Sequence, residues 1–255
     1  MPLIELRNVS KAFDRLVVLR NLTLSIEEGH SLVVIGASGT GKSVLLKHIV
    51  GLLKPDEGEV YFDGQRIDTL RQRDLVPIRQ QFGFLFQMGA LFDSLTVADN
   101  VGFPLREHTT KSSEEIDDIV RQKLRMVGLP DVGKKMPGQL SGGQRKRVAL
   151  ARAIALGPRV ILYDEPTTGL DPIRSDVINE LIVKLQKSLN VTSITVTHDM
   201  QSAFKIADRI VMLDDGKIVF DGTPKQIQEE SNPVVRRFVE GEASEEELNQ
   251  IHGRP

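Results

Sequence analysis

Residues Gly36, Ala37, Ser38, Gly39, Thr40, Gly41, Lys42 and Ser43 have the types and spacing needed to hold a polyphosphate. The glycines let the backbone curl so that several N–H groups face one anion, and a helix opening behind them adds partial positive charge at its start. Lys42 is placed to reach the outer phosphates, and the Ser43 hydroxyl to ligate Mg²⁺. A Gly/Ser-rich turn is the bland alternative. In a chain with 21 glycines among 255 residues a chance match is about 1%, so nucleotide binding is the better reading.

A second cluster, Leu140-Ser141-Gly142-Gly143-Gln144, opens a helical stretch with small residues, which again leaves backbone donors free at a helix start. Its alternative is a flexible helix beginning. Beyond it the apolar run RVILY ends in two adjacent carboxylates, Asp164 and Glu165. Single residues after short apolar runs complete the set: Gln87 in FLFQMG, Asp171 in TTGLD and His198 in VTHD. Taken alone, each is more often structural than chemical.

The elements that must position these residues follow from hydrophobic periodicity. Residues 3–35 read as strands, with near-alternating apolar positions in LVVLRNLTLSI and a continuous run in SLVVIG. Ser43–Val50 reads as a helix, and 58–64 and 82–86 as strands. Helical periodicity dominates residues 94–156, in SSEEIDDIVRQKLRMVGL and SGGQRKRVALARAIAL. Strand and helix then alternate through RVILYDE, Ile173–Ser188, TSITVT and a helix after Met200. RIVMLDDGKIVFDG closes as a hairpin on an Asp-Asp-Gly turn. This alternation predicts an α/β core with a largely parallel sheet, carrying an inserted helical subdomain.

The chain has 255 residues, 40% hydrophobic and 27% charged, which is ordinary globular usage. A formal net charge of −2 gives no bulk electrostatic reason to expect nucleic acid as a partner. With no cysteine there is neither a disulfide framework nor a thiolate metal site. No run approaches the roughly 20 apolar residues that cross a bilayer, and MPLIELRNVSKAF does not read as a signal peptide. Any membrane crossing must come from other chains.

In this order and spacing, the phosphate loop, LSGGQ and an apolar strand ending in Asp-Glu resemble the nucleotide-binding domain of ABC transporters, over roughly residues 3–240. The resemblance implies an α/β P-loop NTPase (ABC ATPase) fold with a RecA-like core, an N-terminal antiparallel β subdomain and an inserted helical subdomain at about 94–156. It implies one ATPase domain at 1–240, with ATP and Mg²⁺ as nucleotide and metal, and the composition of GEASEEELNQIHGRP beyond it gives an acidic tail at 241–255. Carried over residue by residue, Gln87 matches the Q-loop, which completes Mg²⁺ ligation. Asp171 matches the D-loop that crosses the dimer interface, and His198 the switch histidine. Phe13 lies where an aromatic residue stacks on adenine, although it also suits a buried strand. Asp164 would hold Mg²⁺ through its hydration shell and Glu165 would polarise the attacking water. His198 would bind the γ-phosphate and keep water and Glu165 in line. Ser141, Gly142, Gly143 and Gln144 would close the nucleotide held by a second copy of the chain.

Phe86–Thr109 is more specific. GALF after Gln87, then NVGFPLREHT, and SNPVVRRFVEG near the C-terminus resemble the ATPases of Mla-type phospholipid transport systems, those associated with MCE-domain proteins. That implies a permease and an MCE lipid-binding protein as partners, and a place at the cytoplasmic face of the inner membrane, held there by the permease. GALFDSLTV also suits any permease, so an importer of a polar solute such as an amino acid is the alternative. A soluble ABC ATPase of translation or DNA repair fits less well, for want of a second P-loop, a long insertion or a basic stripe. The acidic tail reads as solvated, with docking on a neighbouring subunit as the alternative.

Overall fold

The computed structural model describes residues 2–243, so the tail reading at 241–255 lies almost wholly outside the described residues. In chain order the elements are β1 (Ile4–Phe13), β2 (Leu16–Ile26), β3 (Ser31–Ile35), α1 (Lys42–Ile49), β4 (Glu57–Phe62) and β5 (Gln65–Arg66). Next come α2 (Val76–Arg79), β6 (Phe82–Leu85), α3 (Val97–His108), α4 (Ser113–Met126), a 3-10 turn (Pro137–Gln139) and α5 (Gly142–Ala153). The remainder is β7 (Val160–Asp164), α6 (Pro172–Leu189), β8 (Thr192–Val196), α7 (Met200–Ile206), β9 (Arg209–Asp214), β10 (Lys217–Gly222), α8 (Pro224–Gln228) and α9 (Pro233–Glu240).

Two sheets organise these elements. Strands β2-β1-β4-β5 form an antiparallel sheet. Strands β10-β9-β3-β8-β7-β6 form a second one, in which every pairing from β9 to β6 is parallel and only the β9–β10 hairpin is antiparallel. All five residues of β3 and all five of β8 are buried; β3 therefore reads as a near-continuous apolar run, whereas β8 buries Thr192, Ser193 and Thr195 beside Ile194 and Val196.

The two faces of the parallel sheet serve different partners. Leu32, Val34, Leu162 and Val211 point into a cluster with Leu45, Leu46 and Ile49 of α1 and with Ile4, Leu6, Leu22 and Phe62 of the antiparallel sheet. Val33, Ile35, Ile161, Tyr163 and Met212 point the other way, into a cluster continuous with Val101, Leu105, Val120 and Leu124 of α3 and α4. The helical segment therefore shares its core with the sheet instead of forming one of its own. Its caps are local: Ser112 and Glu115 make a reciprocal capping box on α4, and Thr96 accepts from the Asp99 amide on α3. Helix α3 contains Pro104, so the NVGFPLREHT stretch is helical despite the residue that argues against it.

The parallel order β9-β3-β8-β7-β6 aligns the carboxyl ends of five strands, four of which lead into candidate residues. Gly36 follows β3, His198 lies two residues past β8, Asp164 ends β7 and Gln87 lies two residues past β6. A crevice at the carboxyl ends of parallel strands is where open α/β sheets place ligands.

Candidate active site

The phosphate loop leaves β3 through a point with no room for a side chain. A Cβ on Gly36 would overlap the Leu213 carbonyl oxygen of the neighbouring strand. Gly41 has φ +100°, and a Cβ there would sit 2.9 Å from the Val18 carbonyl. Gly41 is the N-cap of α1 and provides no side-chain cap, so the first amides of that helix stay free for an anion. Thr40 closes the loop by donating its hydroxyl to the Ala37 carbonyl at 2.9 Å. Lys42 is buried, with Nζ donating to the Gly36 and Ala37 carbonyls at 2.7 and 2.8 Å. Burial pushes its ammonium below the ordinary lysine value, opposed by the charges of Glu165 and Asp164.

The carboxylates meet the loop from β7. Ser43 Oγ donates to Asp164 Oδ1 at 3.2 Å. Burial raises the Asp164 carboxyl above its ordinary value; the Ser43 hydrogen bond counters this and the Glu165 charge adds to it. An anion desolvated in this way is one that a cation would relieve. Among the described residues no cluster of three or more His, Asp, Glu or Cys side chains could hold a metal alone. Ser43, Gln87 and Asp164, one hydroxyl, one amide and one carboxylate, suit a hard Mg²⁺ that keeps most of its ligands as water and phosphate oxygen.

Glu165 is held from several sides. It lies in the left-handed region, φ +49°, and its amide donates to the Val196 carbonyl at 3.0 Å. Its carboxylate lies 3.0 Å from His198 Nδ1 and accepts from Thr168 Oγ1 at 3.2 Å. Its carbonyl accepts from the Thr168 amide and from Lys146 Nζ, each at 3.3 Å.

Lys42, Ser43, Asp164, Glu165 and His198 line one cleft of about 400 Å³ that also takes in Phe13, Val18, Ser38, Gly39, Gly41, Val44 and Gln87, while Gly36, Ala37 and Thr40 shape the loop behind it. Phe13 ends β1 with 43% of its surface exposed, so it is not the buried strand residue that the sequence left open. The structure does not bring Ser141, Gly142, Gly143, Gln144 or Asp171 into this cleft. Ser141 and Gln144 cap each other at the start of α5. The Asp171 carboxylate accepts from the Arg174 amide as the N-cap of α6. Gly142 lies against Leu170 and Gly143 against Arg174, so the two segments form one surface of their own.

Three residues absent from the sequence reading shape the site. Lys146 and Thr168 fix Glu165 as described above. Arg152 of α5 donates to the Gly89 and Ala90 carbonyls at 2.8 and 2.7 Å, pinning the loop that carries Gln87. Lys146 did leave a trace: it stands three and four positions before Ala149 and Leu150, on the apolar stripe of its helix.

Fold and site together define a nucleoside triphosphatase of the P-loop class. The family described as ABC transporter matches residues 19–168, and the chain belongs to that family as one of its ATP-hydrolysing cassettes. It is 46% identical over 242 residues to the intermembrane phospholipid transport system ATP-binding protein MlaF of Haemophilus influenzae, spanning 94% of this chain and 91% of that one. The probable ribonucleotide transport ATP-binding protein mkl of Mycobacterium leprae is 44% identical over 238 residues, 93% of this chain and 69% of that protein. Among solved structures, the dimeric ATP-binding cassette MJ0796 in a post-hydrolysis state with ADP and Pi superposes with a TM-score of 0.80 at 37% identity, covering 87% of this chain and 98% of that one. The likeness to MlaF agrees with the resemblance read from GALF, NVGFPLREHT and SNPVVRRFVEG.

Proposed function

We propose that this cassette hydrolyses ATP to energise phospholipid transport between bacterial membranes, working as a dimer with a permease and an MCE-domain lipid-binding partner. The observation that carries the reading is the extent of the likeness to MlaF, 46% identity over 94% of the chain. No helix among the described residues is long and apolar enough to cross a membrane, which accords with attachment through a permease at the inner membrane's cytoplasmic face. An apolar groove of about 450 Å³ between Phe84, Phe86, Phe92, Phe103 and Pro104, beside the Gln87 loop, suits an apolar helix of that permease.

In this reading Lys42 and the free amides of α1 bind the phosphates, and Phe13 stacks on the base. Ser43, Gln87 and Asp164 would hold Mg²⁺, which would supply neutralisation of the phosphate charge. Glu165 accepts a proton from the attacking water, and His198 keeps that carboxylate in line. Ser141, Gly142, Gly143, Gln144 and Asp171, which stand away from their own chain's cleft, close the nucleotide of the facing copy. Separation of the two copies after hydrolysis passes to the permease through the loop at Gln87.

Purification of the intact complex from membranes, with mass spectrometry of subunits and bound lipids, tests the assignment. Phospholipid and an MCE-domain subunit are expected. A solute-binding protein in their place would point to an importer, and bound ribonucleotide cargo to the activity in the name of the mycobacterial relative.

A further inference from the structure

Lysine is rarely buried without a charged partner, because removing an ammonium from water is costly. Lys146 is 7% exposed, and among the described residues it has no carboxylate within ion-pair distance. Its one hydrogen-bond acceptor there is the Glu165 carbonyl, 3.3 Å from Nζ. The acceptor belongs to the left-handed turn at φ +49° on which the Glu165 carboxylate is aimed at His198. The donor belongs to α5, whose first residues are Gly142 and Gly143. Methionine would fill the same volume on the apolar stripe beside Ala149 and Leu150, so packing gives no reason for a charge at this position.

We propose that Lys146 is a positioning residue that ties the helix beginning at Ser141 to the turn at Glu165 and so sets the aim of the Glu165 carboxylate. The inference rests on the reading of Glu165 as the group that activates water. Lys146 itself does not line the cleft, and its one side-chain hydrogen bond goes to the Glu165 carbonyl. Its loss should therefore act on the rate of hydrolysis and not on nucleotide binding. It should not weaken the fold either, because a desolvated cation is exchanged for an apolar side chain of similar size.

The test uses the full-length chain with Mg-ATP, comparing wild type with Lys146→Met, Lys146→Arg and Glu165→Gln. Lys146→Met should lower kcat about tenfold, leave KM within about twofold and leave the melting temperature unchanged or higher. Lys146→Arg keeps a charged donor and should return kcat to within about threefold of wild type. Wild-type turnover in Lys146→Met would overturn the proposal. So would a parallel loss of kcat and melting temperature that arginine fails to rescue. Glu165→Gln separates this failure from that of the underlying reading. An inactive Glu165→Gln beside a fully active Lys146→Met sinks only the role of Lys146, whereas an active Glu165→Gln removes both.

Discussion

His198 Nδ1 stands 3.0 Å from the Glu165 carboxylate across a gap of 33 residues. The parallel pairing of β7 with β8, with Asp164 opposite Val196, creates this contact. Each strand ends at the same level, so the residue after one and the second residue after the other must meet. The left-handed backbone at Glu165 then turns its side chain toward the histidine instead of continuing the strand.

If the Glu165 carboxylate accepts the water proton, Glu165→Gln should lose about a hundredfold or more in kcat while still binding ATP. The variant should accumulate as an ATP-bound dimer, readable by size exclusion with and without nucleotide. His198→Ala should show a similar loss of kcat with little change in nucleotide affinity. Turnover close to wild type in either variant would remove that residue from its role.

Lys42 tests the other half of the cleft. Its ammonium is held by two carbonyls of the loop and opposes the phosphate charge, so Lys42→Ala should fail at binding and not at chemistry. Titration with a fluorescent ATP analogue should show an affinity loss of about tenfold or more, in keeping with loss of hydrogen bonds to a charged group. Gly36→Ala should abolish binding by a different route, because the new methyl group collides with the Leu213 carbonyl and the loop must move.

The phosphate loop, Asp164, Glu165 and His198 were legible because each lies at or within two residues of the carboxyl end of a strand, and a parallel sheet brings strand ends together whatever the loops do. Strands β3 and β7 were equally plain, since burial on both faces leaves near-continuous apolar runs, while β8 showed in its β-branched Thr, Ile and Val residues. Helix α3 was not, because Pro104 and the glycine at 102 argue locally against the helix that packing of Val101 and Leu105 enforces. Arg152 and Thr168 escaped for another reason. They act through backbone carbonyls or a short turn, and neither leaves a side-chain pattern in the sequence.

Asp164 sets stability against function. Burial raises its carboxyl above the ordinary value, so this group's contribution to the stability of the ligand-free protein falls as pH rises from the unfolded value of 3.8 through the folded one. Asp164→Asn removes that cost and keeps an acceptor for Ser43. Its melting temperature without nucleotide, measured at neutral pH, should equal or exceed that of wild type. Mg²⁺-dependent turnover should nevertheless collapse. A clear fall in melting temperature would show that the carboxylate is already compensated in the empty site.

The pH dependence of turnover should carry the mark of Lys146. Burial lowers this lysine from 10.5 to about 8, with the Glu165 charge acting in the opposite sense. Between these values the unfolded chain keeps a proton that the folded chain has released, so this group makes stability rise with pH across the window. Turnover should run the other way. Above about 8 the amine turns neutral and its charge-assisted hold on the Glu165 carbonyl weakens by about half. Wild-type kcat should therefore decline on the alkaline side, while Lys146→Arg, whose guanidinium stays charged, keeps its rate. Lys146→Met should be slow at every pH and show no such limb. Steady-state rates between about pH 7 and about pH 9.5, where only the lysine form titrates, separate the three curves. An alkaline limb of equal size in all three would assign it to some other group.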